Sequence, residues 1–449
     1  MKLWQKSAAA EDTLLQKIEA FTIGKDRELD LQLAQYDILG TLAHIRMLEK
    51  IGLLEATERQ QLDTALSTIH QSVLDGTFEI EEGIEDVHSQ VELQLTRQLG
   101  DIGKKVHSGR SRNDQVLVDL RLFFRAEIEA IVEATSGLFD TLLQRSEQHK
   151  DVLMPGYTHM QVAMVSSFGL WFGAYAEALT DDLQMGLSAW NIINQNPLGS
   201  AAGYGNSFPL DRQMTSDLLG FEQLSYNVIN AQMGRGKSEL AISFAIASLA
   251  STLGKLSMDI CLYSNQNYNF LSLPKAFTTG SSIMPHKKNP DVFELIRARC
   301  NQLQALPNEI LLLTSNLTNG YHRDFQLLKE NLFPALQHLK DCLRIATMAI
   351  KEIQINERLL DDPKYQYLFT VEAVNEEVLK GTPFRAAYQQ IGQAIEEGRF
   401  QYNGHINHSH EGSIGNLCND KIQAKMTQLI KHFGFEKVKT RLQALLTRP

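Results

Sequence analysis

Short polar clusters break an otherwise helix-like chain, and each holds residue types that could move a proton or grip an anion. The densest is Gly280 to Asn289, G-S-S-I-M-P-H-K-K-N. Adjacent serines, a proline, paired lysines and an asparagine have no packing reason to gather. Loops that carry chemistry on a rigid scaffold collect groups in this way. By composition alone, a surface turn with solvated lysines would look the same. A second cluster, V-H-S-G-R-S-R-N-D at Val106–Asp114, runs into a helix pattern. Free amides at a helix start, the helix dipole and Arg110 and Arg112 would all favour an anion there. A plain helix cap with solvated arginines is the alternative. In M-P-G-Y-T-H-M-Q, Met154–Gln161, the Pro155-Gly156 pair signals a turn. His159 follows it, with the one side chain whose ordinary titration lies near neutral pH. A last cluster spans Gly320–Asn331, where Gln326 and Lys329 share a helix face. His88, in E-D-V-H, could be a packing histidine or a site group.

Helices must position these clusters. Eleven prolines are present, none before Pro155, and long breaker-free tracts favour helix. Ile38, Leu42, Ile45, Leu48 and Ile51 recur by three or four, as one helix face requires. Thr57–Leu74 predicts a second helix, and Glu85 begins a third. Val116, Leu120, Phe124, Ile128 and Ile131 mark a long amphipathic helix after the arginine loop. Glu239 to about Ser264 is rich in small and apolar residues, as a tightly packed bundle helix would be. Pro290–Leu303 reads as helix. Residues 1–105 read as a helical N-terminal domain. From about Ile353 the pattern shifts to shorter helices broken by Pro363, Pro383 and glycines, which places a domain boundary there.

Composition narrows the class. The chain has 449 residues, 43% hydrophobic and 21% charged, with a net charge of -10. A phosphate-binding surface needs a lysine and arginine excess, so nucleic acid is not expected as a partner. Cys261, Cys300, Cys342 and Cys418 lack metal or redox spacing and read as thiols of a reducing compartment. Gly199, Gly203 and Gly205 do not have the spacing of a dinucleotide loop, and no strand precedes them. His405, His408 and His410 invite a metal reading that no carboxylate or cysteine pattern supports, so no metal is expected. The opening M-K-L-W-Q-K-S-A-A-A-E-D lacks a signal-peptide core, and the apolar run near Leu240–Leu253 is too short to span a bilayer. A cytoplasmic protein without a membrane partner is the expectation.

Gly280–Asn289 closely resembles the signature G-S-S-x-M-P-x-K-x-N of the fumarase/aspartase superfamily. H-S-G-R-S-R-N-D-Q at His107–Gln115, Met154–Gln161 and Y-H-R-D-F-Q-L-L-K-E at Tyr321–Glu330 resemble its argininosuccinate lyase branch. The likeness includes E-D-V-H at Glu85–His88, P-L-G-S at Pro197–Ser200 and F-P-L-D-R at Phe208–Arg212, and covers about residues 20 to 390.

The resemblance implies an all-α fold of three helical domains: 1–105, a central long-helix bundle at 106–352, and 353–449. It implies a homotetramer whose active sites are each shared between three subunits, acting on a small-molecule substrate without a cofactor. The implied reaction is reversible β-elimination of argininosuccinate to L-arginine and fumarate, a step of arginine biosynthesis. By the same resemblance Ser281 is the base, Lys287 and Asn289 bind the carboxylate where charge accumulates, and His159 is the acid or its relay. Glu294 is similar to the carboxylate partner of His159. Ser108, Arg112, Asn113 and Thr158 would hold the succinyl carboxylates. Tyr321, Gln326 and Lys329 would hold the arginine carboxylate and amine, and His88 would come from a neighbouring chain.

Some stretches depart from the branch. Gln5-Lys6-Ser7-Ala8 replaces a glycine-rich start, Phe21–Asp30 is longer than usual, and Met233–Gly236 lacks the usual aspartate-flanked arginine. His286 is more similar to adenylosuccinate lyase, which is the alternative activity. A catalytically silent structural protein of the same fold is the other alternative.

Overall fold

The tracts that carry a helical apolar pattern fold as helices, and five long ones make the centre of the molecule. These are Arg112–Gln148, Phe168–Ile193, Lys237–Tyr263, Asp291–Leu313 and Leu327–Glu352. The computed structural model describes residues 12–404 and 406–447. The Gln5–Ala8 stretch and His405 lie outside the described residues.

The 112–148 helix has 37 residues, so at a rise of 1.5 Å each it is roughly 55 Å long. Its buried stripe includes Leu120, Phe124, Ile128, Ile131 and Leu138, close to the pattern expected from sequence. It packs on the 168–193 and 327–352 helices, while the 237–263 helix packs on those at 168–193 and 291–313. One apolar core runs from Leu29 to Leu445. The Ala34–Lys50 helix lies against the start of the 112–148 helix. At that crossing, a Cβ on Gly40 would come within 3.2 Å of Val118 Cγ1 and 3.6 Å of Asp119 Oδ1. Gly40 therefore sets how closely these two helices approach.

The all-α expectation holds, with three two-stranded pieces added among the described residues. The Met154–Gln161 stretch is not the plain turn expected from Pro155-Gly156. Leu153–Thr158 pairs antiparallel with Gln161–Ser167, and the register slips between Pro155 and Tyr157. The turn lies further on, at His159 and Met160, with φ of 53° and 61°. Two successive positive φ values are the type I′ geometry that matches strand twist in a two-residue hairpin loop. Pro155-Gly156 therefore marks the irregular step in the first strand.

The apolar stretch near Leu240–Leu253 also needs correction. It belongs to the 27-residue 237–263 helix, which by length and composition could cross a membrane; 56% of its most apolar window is buried inside the molecule. Alanines and serines extend the weakly polar run beyond the stretch seen in sequence. The 291–313 helix likewise runs past Leu303 and contains Pro307. Near the end of the chain, Phe435–Thr447 returns to the 34–50 helix, where Arg46 Nη2 donates to the Leu445 carbonyl at 2.7 Å. The four cysteines are free thiols. His408 pairs through Nε2 with Glu372 at 2.9 Å, and His410 Nδ1 meets the Glu411 carbonyl at 3.3 Å.

Candidate active site

A cavity of about 230 Å³ draws its walls from five separated parts of the sequence: 26–30, 85–88, 112–116, Arg235 and 321–329. It gathers six of the residues singled out from sequence: His88, Arg112, Asn113, Tyr321, Gln326 and Lys329. Each is set in place by a local device.

Arg112 and Asn113 open the 112–148 helix. Ser111 caps it: its hydroxyl accepts from Asn113 N, and Asp114 Oδ1 accepts from Ser111 N at 2.8 Å. Asp114 Oδ2 also accepts from Gly199 N at 3.0 Å and Ala201 N at 2.9 Å, tying the 197–205 loop to the helix start. Burial outweighs these amides and lifts Asp114 to about 6. Gly109 has φ of 77°, and a Cβ there would stand 3.0 Å from Leu210 Cδ2, so only glycine suits the turn. Arg112 Nη2 donates to Glu92 Oε2 at 3.0 Å. Ser108 is half-buried beside the helix start, and its carbonyl lies 2.8 Å from His44 Nε2. His44 is fully buried, which pushes its pKa well down, so the neutral ring donates to that carbonyl.

Lys329 is buried between two carboxylates, 2.5 Å from Asp30 and 2.7 Å from Asp26. Burial works against its charge, but Asp30 and Asp26 outweigh it and raise its pKa. Burial in turn lifts Asp26 to about 6, despite the pull of Lys329. Gln326 Nε2 donates to the carbonyls of Thr22 at 3.0 Å and Ile23 at 2.7 Å. The Phe21–Asp30 stretch thus brings two acids to the cavity. Arg235 also lines it, donating through Nε to Glu239 at 2.8 Å and through Nη2 to the Phe325 carbonyl at 2.8 Å.

His88 starts the Val87–Leu99 helix behind the Asp86 cap, which accepts from Ser89 N at 2.7 Å. The His88 ring is buried, with Nδ1 2.8 Å from Asp37 Oδ1 and 3.4 Å from Asp119 Oδ2.

The other candidates stand apart from the cavity within one chain. Ser281, Lys287 and Asn289 sit on a loop whose neck is an antiparallel backbone pair: Asn289 N donates to Thr279 O at 2.8 Å, and Thr279 N to Asn289 O at 3.2 Å. The Thr279 hydroxyl donates to Asp291 at the start of the next helix. Ser281 Oγ accepts from Ile283 N at 3.3 Å and Met284 N at 3.1 Å. Two amides thus already point at the hydroxyl that would take the proton. Lys287 and Glu294 are exposed, as are Thr158 and His159 at the hairpin tip. Among the described residues, no hydrogen bond joins His159 to Glu294, or either of them or Ser281 to the cavity wall.

Sequence reading did not single out Asp26, Asp30, Asp37, Asp119 or Arg235. All but Arg235 are acids on helices, where an acid ordinarily faces water, and only their burial distinguishes them.

Residues 16–305 match the family described as Lyase. An argininosuccinate lyase of Parabacteroides distasonis is 60% identical over 437 residues, 97% of each chain. One of Bacteroides thetaiotaomicron is 58% identical over 100% of this chain and 99% of its own. Among solved structures, an EDDS lyase variant with bound fumarate superposes with a TM-score of 0.75 at 23% identity, covering 95% of this chain and 94% of its own. A class II fumarase from Schistosoma mansoni gives 0.70 at 18%, over 92% and 95%. At these identities the structures speak for the all-α fold.

Proposed function

The chain belongs to the lyase family, in its argininosuccinate lyase branch, and from that premise we propose how it splits argininosuccinate reversibly into L-arginine and fumarate. The activity is that of a carbon–nitrogen lyase serving arginine biosynthesis. The observation that carries the site assignment is the cavity itself, where cationic Arg112, Arg235, Arg323 and Lys329 face acidic Asp26, Asp30, Glu85 and Asp86. A substrate with three carboxylates, an amine and a guanidino group needs a wall of both signs.

The hard step removes a proton from the carbon beside a carboxylate and loads that carboxylate with further negative charge. Such a step needs a base, donors aimed at the developing charge, and an acid for the departing nitrogen. Ser281 is the base. A free hydroxyl is too weak an acid to ionise unaided. The amides of Ile283 and Met284 support this role, because they lie within 3.3 Å of Oγ and would share the charge of an oxyanion. Lys287 and Asn289 hold the carboxylate that gains charge. His159 delivers the proton to the guanidino nitrogen, directly or through a water, with Glu294 as its carboxylate partner. Arg112, Asn113, Ser108 and Thr158 bind the succinyl end, and Tyr321, Gln326 and Lys329 the arginine end. His88 lies beside the substrate.

Completing the site takes a cytoplasmic homotetramer, with loops from three subunits in each centre. Support comes from large apolar side chains left exposed on the long helices: Met185, Phe244, Met258, Leu295, Leu312 and Met348. Their burial against other copies would form a joint bundle from the 106–352 domain, flanked by the 1–105 and 353–449 domains.

The test is fumarate absorbance during incubation with argininosuccinate or with adenylosuccinate. Fumarate from argininosuccinate alone is expected. Fumarate only from adenylosuccinate would reassign the substrate, and none from either would favour a silent structural protein.

A further inference from the structure

We propose that Asp37 and Asp119 are positioning residues that keep His88 a cation in the cavity wall, where its ring charge meets an anionic group of the substrate. The proposal rests on reading the cavity as the argininosuccinate site. The two acids lie on different helices, 34–50 and 112–148, and reach the same ring nitrogen at 2.8 and 3.4 Å. Asp37, His88 and Asp119 are 2%, 4% and 1% exposed. Neither Asp119 oxygen has a hydrogen-bond partner among the described residues. Arg110, a half-buried guanidinium, donates instead to Thr41 Oγ1 and the Val106 carbonyl, both at 2.9 Å. The His88 ring is therefore the cation in direct contact with this acid pair, with Arg110 acting on both acids without a hydrogen bond.

An ion pair kept only for stability is a poor reading of this arrangement. Desolvating two charges offsets most of their attraction, and apolar side chains of the same volume do as well or better. What an apolar substitute would not supply is a fixed positive charge, and this one borders the cavity that holds Arg112 and Lys329. His44 shows the scaffold's effect on a histidine without counter-ions. It is equally buried, faces the Ser108 carbonyl, and is pushed towards the neutral ring.

Every charged group facing His88 fits the same picture. Burial opposes its charge, but Asp37, Asp119 and its own helix cap Asp86 outweigh burial and lift the ring to about 9. Arg112 and Arg110 are the opposing cations on that side, while burial, then those two arginines, push His107 towards its neutral ring. Burial, then repulsion by Asp37, pushes Asp119 well above an ordinary carboxylic acid. Asp37 is accordingly the principal counter-charge and Asp119 the secondary one.

The test follows the ring itself in the full-length, assembled protein. With histidine rings labelled for NMR, the His88 signal among the 13 histidines is assigned by its loss in His88→Gln. In the wild type it should stay protonated beyond pH 8. Asp37→Asn should bring its midpoint down by at least about one pH unit, a tenfold change in proton affinity. Asp119→Asn should lower it less, and Asp37→Glu should restore it. In parallel, kcat/KM for argininosuccinate should fall about tenfold in Asp37→Asn at pH 8, mostly through KM, and recover partly at pH 6. A wild-type midpoint near 6.5, or one unmoved in both Asn variants, overturns the proposal. A shifted ring with an unchanged kcat/KM profile overturns its role towards substrate. Should Asp37→Asn fail to fold, Asp119→Asn and Asp37→Glu carry the same comparison. Failure of the wild type to cleave argininosuccinate would overturn the cavity reading and the substrate role together, while the ring titration still decides the charge.

Discussion

The cavity wall and the two projecting segments, the 280–289 loop and the hairpin tip at His159, solve opposite problems. The central cations of the wall are buried and already engaged: Lys329 with Asp26 and Asp30, His88 with Asp37, Arg235 with Glu239. Groups on the projections are exposed or half-buried, and the side-chain hydrogen bonds of Ser281 and Asn289 stay within their own loop and its neck. The first region is organised within one chain and is the one proposed to bind. The second carries the proposed proton-moving groups, and one chain leaves them without their counterparts. On the proposed reading, binding and chemistry fall to separate pieces of scaffold, so they should fail separately.

The largest effect expected is on the loop. Ser281→Ala should lower turnover by about 100- to 10,000-fold, the span that removal of an acid–base group gives. Circular dichroism and assembly should be unchanged, because the side chain packs against no core. Near-normal turnover would remove Ser281 from the mechanism. Mixing Ser281→Ala chains with His159→Asn chains should restore part of the activity, since some hybrid sites would draw both intact residues. No recovery in verified mixed oligomers would break the idea that chemistry is completed between chains.

In the wall, the deficit should appear in stability. Lys329→Met leaves Asp26 and Asp30 buried beside each other without a cation. Breaking a buried pair by removing one partner costs about 3–5 kcal/mol, read as a lower urea midpoint. An unchanged midpoint would mean that the wall is not organised by its ion pairs.

The sequence made these two regions legible to different degrees, for physical reasons. Gly280–Asn289, Val106–Asp114 and Tyr321–Lys329 were readable because polar side chains interrupt apolar periodicity, and they fall where the fold places its loops and helix starts. The hairpin was not readable, because Val162 and Met164 face solvent and Pro155-Gly156 imitates a turn inside the first strand. Asp37 and Asp119 were unreadable because nothing local marks them. Each looks like an acid on the polar side of a helix, and only the close crossing at Gly40 buries them on His88.

A smaller effect follows from the charge on His88. Its ring titrates at about 9 in the fold against an ordinary 6.5, so the folded chain holds the extra proton between those values. The stabilisation is complete below about pH 6.5 and is lost as pH rises through 9. At one pKa unit per roughly 1.4 kcal/mol, its upper bound is about 3.5 kcal/mol. Urea midpoints should therefore fall more steeply from pH 6.5 to 9.5 in the wild type than in His88→Gln. Equal slopes would detach the wall's stability from this ring.

The smallest effect belongs to the hairpin tip. Met160 has φ of 61° and is 64% exposed. A non-glycine residue in the left-handed region costs about 1–2 kcal/mol. Met160→Gly removes that strain but gives the unfolded chain more freedom, which takes back about 0.4–1 kcal/mol. The net expectation is a gain of between about 0 and 1.6 kcal/mol, because one chain buries little of the side chain that is lost. A loss of about 2 kcal/mol or more, growing as protein concentration falls, would show that Met160 is covered in the assembly. It would then place the hairpin tip against another subunit, beside the chemistry that His159 is proposed to perform.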